Sequence, residues 1–478
     1  MASPATDAVV VGAGPNGLAA AVTLARAGLS VRVIEGADTP GGGCRTQELT
    51  LPGFRHDVCA AVHPLAVASP FFQRLDLAAL GVTLRTPKVA FAHPLDGGRA
   101  SWVVNSVDET AGALGADGGS YRRLLGPLVR DAPVTLPALL APLRSVPGHP
   151  LAMARFGLDG VQSATMVAHR FQTEEARALL AGVAAHTMLP LTAAGTGAYG
   201  LTLMMIAHLV GWPVVEGGSA GLIDALVSDL AAHGGQVETG RWVGSLAELP
   251  PSRVVLLDVT PRQLAALAGS SIAGRAARTL RGFRYGPGVC KVDWALSGPV
   301  PWQAAACREA GTVHLGGTLA EISRSEADAV AGKHAERPYC LVAQPGVVDA
   351  SRAPAGQHTL WGYCHVPSGS TVDMSDRIEA QIERFAPGFG ELILARSVKT
   401  AADMERYNPN YIGGDINSGA ATLRQTLFRP TVRWNPYRTP LPRVYLCSAS
   451  TPPGGGVHGM CGDGAARTAL ADLGLRPP

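Results

Sequence analysis

The sequence predicts an α/β fold in which a parallel sheet is interrupted by a large insertion of helices and antiparallel strands. Two observations at the ends of the chain support this: a strand–turn–helix–strand unit at residues 7–35, and a strand, glycine loop and helix at residues 444–473. A third is the long stretch between them, where helical and alternating patterns follow one another. A chain of 478 residues exceeds one ordinary core, so we expect two domains.

The N-terminal unit has the pattern of a dinucleotide-binding turn. An apolar strand at 8–11 leads into Gly12-x-Gly14-x-x-Gly17, a helical Ala/Leu pattern follows, and a strand at 31–34 ends on Glu35. The first glycine allows the tight turn, the second lets a pyrophosphate approach the backbone, and the third lets the helix pack close to the sheet. The acid is placed to accept a hydrogen bond from a ribose hydroxyl. The unit therefore predicts a Rossmann-type domain that binds a dinucleotide.

A second glycine turn favours flavin over nicotinamide. The run Pro40-Gly41-Gly42-Gly43-Cys44-Arg45 follows the ribose-binding strand, where it lets the backbone approach a bulky group and places an arginine near phosphate oxygens. The alternative interpretation of this run is a flexible surface turn. No second dinucleotide unit that would hold a nicotinamide cofactor is recognisable in the sequence.

The C-terminal part supplies a matching loop. A predicted buried strand at 444–449 leads into Pro-Pro-Gly-Gly-Gly-Val-His-Gly-Met-Cys-Gly, and a helical pattern follows at 465–473. Backbone amides in such a loop would face an electron-rich group, such as the pyrimidine edge of a flavin ring.

These motifs resemble the phytoene desaturase-like flavoproteins, which are similar in fold to amine oxidases. Gly-Trp-Pro-Val-Val-Glu-Gly-Gly-Ser-Ala-Gly-Leu at 211–222 and Tyr-Asn-Pro-Asn-Tyr-Ile-Gly-Gly-Asp-Ile at 407–416 extend the resemblance to nearly the whole chain. The resemblance implies that FAD is the cofactor and that Val243, at the end of Gly-Gly-x-Val-x-x-x-x-x-Val, meets the adenine through its backbone. The expected FAD contacts are Gly12, Gly14, Pro15, Asn16, Gly17, Glu35, Gly36, Gly42, Gly43, Arg45, Val243, Gly456, Val457 and His458.

The positions of the motifs predict how the two domains share the chain. We expect residues 1–60, 211–282 and 435–478 to form the FAD-binding domain, and 61–210 and 283–434 to form the substrate or cap domain. The first cap segment is predicted to be mostly helical, with helices at 121–140, 173–184 and 200–210. The returning FAD segment is predicted to contain a helix at 222–232 and strands near Val237, at 242–245 and at 253–259. The second cap segment carries alternating strands, such as 288–296 and 359–365, which suit an antiparallel substrate sheet.

Three residues are candidates for catalysis, and each has a structural alternative. His458 lies in the loop expected at the flavin and could exchange a proton near neutral pH, or it could pack on the ring or cap the helix. Asp415 could instead orient a loop over the substrate. Tyr411 could line the substrate slot or belong to the core.

Composition excludes several classes of function. The net charge of +3 is too small to argue for nucleic-acid binding, and the eight cysteines show neither Cys-x-x-Cys nor a metal-ligand spacing, so no metal is expected. Without a recognisable secretion signal, we expect a cytoplasmic protein with reduced thiols. The apolar stretch at 198–210 is too short to span a bilayer, and peripheral contact with a membrane stays open.

The sequence therefore predicts an FAD-dependent dehydrogenase (desaturase) that moves hydride from a largely apolar small molecule to flavin. The electron acceptor, oxygen or a quinone, and the oligomeric state leave no local motif. Three alternatives remain. They are an amine oxidase, which the 5% aromatic content disfavours, an isomerase that uses reduced flavin, and a non-catalytic carrier of a prenylated or lipid partner like the Rab escort proteins.

Overall fold

The computed structural model describes residues 6–145 and 147–478. Its strands are, in chain order, β1 Thr6–Val11, β2 Val31–Ile34, β3 Thr46–Gln47, β4 His56–Asp57, β5 Leu84–Arg85, β6 Val89–Leu95, β7 Arg99–Val103, β8 Val214–Val215, β9 Gln236–Glu238, β10 Ser252–Leu257, β11 Gly288–Leu296, β12 Ala310–Leu315, β13 Cys340–Ala343, β14 His358–Val366, β15 Ile393–Lys399 and β16 Val444–Leu446.

The helices account for most of the remaining regular structure. They are α1 Pro15–Arg26, α2 Pro64–Ala68, α3 Val107–Ala113, α4 Gly118–Leu139, α5 Pro150–Gly160, α6 Ala164–Ala168, α7 Glu174–Ala184, α8 Thr196–Val210, α9 Ala220–Ala232, α10 Pro261–Ala268, α11 Gly274–Arg281, α12 Ala305–Glu309, α13 Leu319–Val330, α14 Ser375–Phe385, α15 Ala401–Tyr407, α16 Leu423–Phe428 and α17 Met460–Asp472. Among the described residues, no helix combines the length and the apolar character needed to cross a membrane.

A five-stranded parallel sheet confirms the predicted Rossmann-type architecture. Its strand order is β16-β10-β1-β2-β9, and each neighbouring pair is parallel. The last four residues of the central strand β1, Ala8–Val11, are apolar and buried, as expected for a strand that is paired on both edges and covered on both faces. Helix α1 packs beside α9 and α17 on one face of this sheet. The fold brings together strands from the start, middle and end of the chain.

The second sheet has seven strands in the order β15-β11-β14-β13-β12-β6-β7. Its neighbours are antiparallel except β12 and β6, which are parallel, so the prediction of a purely antiparallel sheet needs correction. Strands β6 and β7 also lie in a segment predicted to be mostly helical. They form a hairpin whose turn places Gly97 and Gly98 at φ +80° and +73°, a turn signal that the sequence carries.

Two predicted elements of the nucleotide domain differ from the structure. The strand predicted at 242–245 is absent from the described residues, because the chain leaves the sheet after β9. There the backbone N–H groups of Gly240 and Arg241 donate to Ala37 and Glu35 carbonyls beyond the end of β2. The last helix, α17, begins at Met460 rather than near residue 465. Gly462 allows α17 to pack closely against α1, since a Cβ on it would lie 1.9 Å from the Asn16 carbonyl oxygen.

Candidate functional site

A cavity of about 660 Å³ lies at the carboxyl ends of the parallel strands and extends to the second sheet. Its nucleotide end is lined by Val11 and Ile34, the last residues of β1 and β2, and by Asp258, which follows β10. In α/β sheets the ligand lies at this edge, where free amides and loop residues meet. The volume falls within the range of small-molecule and cofactor pockets.

The first glycine motif forms the floor of this end of the cavity. Gly12 has φ +101° and donates its N–H to the Ile34 carbonyl at 2.8 Å, so the chain turns sharply where a side chain would be strained. Gly14, at the N-cap of α1, lines the cavity with Pro15 and Asn16. Gly17 does not line it; a Cβ there would lie 2.1 Å from the Gly12 carbonyl oxygen, so this glycine permits packing of the helix against the turn.

Glu35 reaches the cavity from the end of β2. Its Oε2 accepts from the Ala13 N–H at 2.7 Å and its Oε1 accepts from the Ala37 N–H at 2.9 Å. The carboxylate is thus fixed between the glycine turn and the loop after β2, where the sequence predicts a ribose. Gly36 and Val243 line the same region, and a Cβ on Gly36 would lie 2.7 Å from the Trp242 ring.

The second glycine turn places Arg45 in the lining of the cavity. Its guanidinium donates to the Thr39 carbonyl at 2.6 Å, lies 3.6 Å from the Glu35 carboxylate and sits over the Tyr407 ring. The Tyr407 hydroxyl donates to the Gly42 carbonyl at 2.7 Å, which fixes the turn from the other side. The arginine therefore holds the turn in place, and Gly42, Gly43 and Arg45 all line the cavity.

The C-terminal loop meets the same cavity through Gly456 and Val457. Gly456 has φ +120°, and a Cβ on it would lie 2.6 Å from Leu65 Cδ1, so this close approach requires glycine. The two glycine motifs, from opposite ends of the sequence, thus line one continuous space.

His458 lies outside the cavity lining. Its Nδ1 accepts from the Met460 N–H at 3.1 Å, and its Nε2 lies 3.2 Å from the Gly454 carbonyl, so both ring nitrogens are engaged by the loop itself. Burial lowers the pKa of this imidazole to about 4, which keeps it neutral near pH 7. The structure therefore places His458 as a support of the C-terminal loop and not in contact with the space where a substrate would react.

Of the other two catalytic candidates, Tyr411 lines the cavity and Asp415 does not. Asp415 is buried away from the cavity and accepts N–H groups of Gly286, Asn417 and Gly419 at 2.8–2.9 Å, which organises the loop around it. Tyr411 does line the cavity, and its hydroxyl is so close to Gly43 that a Cβ there would lie 2.3 Å away. Burial raises the pKa of Tyr411 well above its usual value, so the phenol stays protonated.

Asp258 is a site residue that the sequence reasoning missed. Its Oδ2 accepts from the Gly17 N–H at 3.0 Å, and a Cβ on Gly14 would also lie 3.0 Å from that oxygen. Burial raises the pKa of this carboxyl to about 7, and the negative charge of Glu35 acts in the same direction. An acid near the end of a predicted buried strand of the parallel sheet is the signal that could have identified it.

The far end of the cavity is apolar and aromatic. It is lined by side chains from α8, from the segments before and after it and from the second sheet: Met188, Leu203, Trp212, Leu341, Trp361 and Tyr363. Trp361 and Tyr363 lie two residues apart on β14 and meet edge to face at 5.3 Å. These residues could not be identified from the sequence, because no local pattern distinguishes the wall of a cavity from a core.

A histidine pair closes this apolar end. His186 lines the cavity, and its Nε2 lies 3.0 Å from Nε2 of the fully buried His314. His314 Nδ1 is buried and has no hydrogen-bond partner. A buried acceptor without a partner costs less free energy than a buried N–H without one, so we assign the His314 proton to Nε2, which then donates to His186 Nε2. Burial lowers the pKa of His186 to about 3, so its imidazole is neutral.

The residues at the nucleotide end fit a dinucleotide cofactor. The glycine turns leave backbone exposed where Cβ atoms would fill the space, and Asn16 Oδ1 is a buried acceptor without a partner at the start of α1. For a metal, residues 6–145 and 147–478 offer no group of three or more His, Cys, Asp or Glu side chains arranged to hold an ion. All eight cysteines are buried thiols.

Comparison with known proteins agrees with this geometry. Residues 10–75 match the model of the NAD(P)-binding Rossmann-like domain family. The chain is 28% identical to the rat (Rattus norvegicus) pyridine nucleotide-disulfide oxidoreductase domain-containing protein 2, over 98% of this chain and 94% of that protein. A shorter match, 31% identical over 25% of each chain, is to 4,4'-diapolycopen-4-al dehydrogenase of Metabacillus indicus.

Among solved structures, a triple mutant of putrescine oxidase superposes with a TM-score of 0.61 at 18% identity, covering 98% of this chain and 99% of that chain. At this identity the likeness shows the fold alone. The narrower resemblance to phytoene desaturase-like proteins rests on partial matches and stays a prediction. The chain has the amine oxidase fold with a Rossmann-type nucleotide-binding domain, and it is an enzyme of the oxidoreductase class.

Proposed function

We propose that this protein is an FAD-dependent dehydrogenase (desaturase) that oxidises a largely apolar small molecule. The observation that carries the proposal is the continuity of the cavity, in which both glycine loops and an apolar, aromatic chamber share one space. A cofactor held by the loops would present its reactive ring to whatever occupies the chamber.

The residues proposed to hold FAD are those that line the nucleotide end. They are Gly12, Gly14, Pro15, Asn16, Glu35, Gly36, Gly42, Gly43, Arg45, Val243, Gly456 and Val457. Exposed backbone at the start of α1 suits a pyrophosphate, because the N-terminal end of a helix carries a partial positive charge. When bound, the flavin ring supplies the hydride acceptor, at N5.

The chamber contributes an apolar slot that orients the substrate and excludes water. Leu203, Leu341 and Trp361 offer no charge, and hydride removal needs little more than positioning against the ring. The chamber also contains a titratable side chain, His186, which forms a hydrogen-bonded pair with His314. Being neutral, it can position a substrate through its ring without introducing a charge.

Amine oxidation is disfavoured by the charges around the cavity. The carboxylates among its described lining residues are Glu35 and Asp258, and both lie at the nucleotide end. A protonated amine in the apolar chamber would thus be desolvated without an anionic partner, which is costly. Aromatic rings such as Trp361 could offer a cation–π contact, which is weaker than an ion pair of that kind.

The test begins with the visible spectrum of the purified protein, recorded anaerobically before and after addition of an apolar extract from its host. We expect bound flavin, identified as FAD after release, that bleaches with the extract. Flavin that stays oxidised until a chemical reductant primes turnover would support the isomerase, and protein that takes up no FAD would support the carrier. Bleaching by simple amines but not by the extract would overturn the proposal in favour of an amine oxidase.

A glycine pair tests the cofactor site directly. Gly14→Ala places a methyl group in the cradle at an allowed backbone conformation, whereas Gly112→Ala in α3 places one where no atom lies within 4 Å. We expect the first variant to lose at least about ten-fold in FAD affinity and the second to bind FAD normally. Equal affinities would place the cofactor elsewhere. Reoxidation with oxygen and with a soluble quinone, followed by stopped flow, then identifies the electron acceptor.

A further inference from the structure

Exposed apolar side chains are concentrated in two segments of the surface. Of the fourteen large apolar side chains that are exposed among the described residues, nine lie within 143–166 and 423–434. The most exposed of them are Leu151, Leu158, Met166, Val432 and Trp434. Single exposed apolar residues need no explanation, but a concentration of this kind marks an interaction surface.

Helix α5 shows that this exposure is one-sided. Leu151 and Leu158 are seven residues apart and therefore share a face of the helix, where they are 84% and 72% exposed. Phe156 and Gly160 are buried on the other face, and a Cβ on Gly160 would lie 3.3 Å from Ala198 Cβ on α8. The helix thus packs on the cap by one side and presents leucines to the outside by the other.

The two segments form one continuous face. The Arg144 guanidinium lies 5.4 Å from the Phe428 ring centroid and donates to the Arg433 carbonyl oxygen. Leu423 lies beside Gly195, whose N–H donates to the Val161 carbonyl at 2.9 Å. We call the combined surface of 143–145, 147–170 and 423–434 the apolar–arginine face.

The charge of this face is strongly one-sided. It contains Arg144, Arg155, Arg170, Arg424, the buried Arg429 and Arg433 against the single carboxylate of Asp159, in a chain whose net charge is +3. Arg155 and Arg170 pair with Asp131 and Asp159. In the described residues, Arg144, Arg424 and Arg433 have no carboxylate within ion-pairing distance, so their charges are available to an anionic partner.

We propose that the apolar–arginine face docks the protein onto the surface of a lipid bilayer that contains anionic headgroups. Tryptophan and leucine side chains enter the boundary between headgroups and acyl chains, and arginines remain at the level of the phosphates. A second copy of this chain fits the face less well, because a two-fold interface would bring the same unpaired arginines of both copies together.

The apolar–arginine face lies close to the cavity, and this suggests why docking would help the enzyme. The link between docking and catalysis rests on the proposed function. Helix α8 carries Ala198, which faces α5, and Leu203, which lines the apolar chamber. One helix therefore separates the docking face from the chamber. A bilayer is where largely apolar molecules accumulate, so docking would bring the chamber next to its supply of substrate.

The test is flotation of the FAD-loaded protein with vesicles of phosphatidylcholine alone or with an equal part of phosphatidylglycerol. We expect binding to the anionic vesicles that weakens as sodium chloride is raised. The double variants Leu151→Ser/Trp434→Ser and Arg424→Glu/Arg433→Glu should each bind about ten-fold or more weakly. The matched controls Val330→Ser/Leu394→Ser and Arg275→Glu/Arg278→Glu, at exposed positions elsewhere, should bind like the wild type.

Three outcomes would overturn the proposal. They are absence of binding to anionic vesicles, equal binding by the face variants and the wild type, and a dimer in solution that Leu151→Ser/Trp434→Ser converts to a monomer. Flotation does not depend on flavin reduction, so its result is separate from that of the spectral test. A protein that bleaches with extract but does not float would lose only the docking face, and one that floats but does not bleach would lose only the dehydrogenase assignment.

Discussion

The carboxylate of Asp258 accepts a hydrogen bond from the backbone N–H of Gly17 at 3.0 Å, across 241 residues of sequence. This bond joins the end of β10 to the first turn of α1, directly behind the first glycine turn. A buried acid thus lies beside the place proposed for a pyrophosphate. Its pKa of about 7 means that it is mostly protonated in mildly acidic solution and about half ionised at pH 7.

Asp258→Asn should stabilise the protein increasingly as the pH rises from about 4 to about 7. The folded-state pKa of about 7 lies above the ordinary 3.8, so over this range the folded wild type holds a proton that the unfolded chain has lost, and wild-type stability falls with rising pH. The asparagine removes that dependence and keeps an acceptor for Gly17. Melting temperatures across this range check the expectation, with Asp224→Asn at an exposed position as the control. A constant difference between variant and wild type would contradict it.

Acid should destabilise the protein below about pH 6.5. Eight of its 13 histidines have pKa values lowered by burial, most of them to about 3 or 4: His56, His63, His93, His186, His208, His314, His358 and His458. As the pH falls below 6.5, the unfolded chain takes up protons that the folded chain refuses, and each such group contributes up to about 1.4 kcal/mol per pH unit. Asp258 acts in the opposite direction and offsets part of this loss.

Urea unfolding between pH 7 and pH 5 measures this effect. His93→Gln should reduce the slope by about one proton, because glutamine can still donate to the Gly317 carbonyl that His93 Nε2 contacts at 2.7 Å. His169→Gln, at an exposed position, provides the control. A free energy of unfolding that is flat over this range would show that these histidines titrate normally in the folded protein.

His458→Ala should cost about 1–3 kcal/mol of stability and weaken FAD retention, because it leaves the Met460 N–H without a partner in a buried loop and removes the imidazole contact to the Gly454 carbonyl. His458→Asn should recover part of both, since its side-chain oxygen can accept from the Met460 N–H. Thermal unfolding and the FAD content after gel filtration check this. If the asparagine variant folds and holds FAD but is no longer reduced by substrate, His458 acts in the reaction after all.

Tyr411→Phe should keep the rate of flavin reduction within about two-fold of the wild type, whereas loss of a general acid or base would cost about 100-fold or more. The phenol is buried, its pKa is raised well above the usual value, and its ring forms part of the cavity wall. Stopped-flow reduction across pH measures this. Tyr411→Ala, which opens the wall, provides the contrast and should slow reduction strongly.

The N-terminal nucleotide unit could be predicted closely because its determinants are local. The strands at β1 and β2, the helix between them and the acid at Glu35 follow from apolar runs, three spaced glycines and a fixed chain length between them. Strand β11 coincides with the range predicted from alternation, 288–296. Each of these features depends on residues that are close together in the sequence, so the sequence alone specifies them.

The parallel pairing of β12 with β6, the acid at Asp258 and the apolar chamber could not be predicted in the same way. Asp258 acquires its role only when β10 is placed beside β1, and Trp361 becomes a cavity wall only when the second sheet is placed over the glycine loops. His458 shows the opposite case, because a motif that suggested chemistry became a loop support once both of its ring nitrogens had found backbone partners.

By itself, then, the sequence determined the Rossmann-type unit, the glycine loops at both ends of the chain and the oxidoreductase class that they predict. Only the tertiary structure decided which side chains share the cavity, which histidines stay neutral and where the exposed leucines and arginines gather. The physical reason is that glycine turns and strand periodicity are encoded by neighbouring residues, whereas burial, pKa and surface continuity depend on residues brought together from hundreds of positions apart.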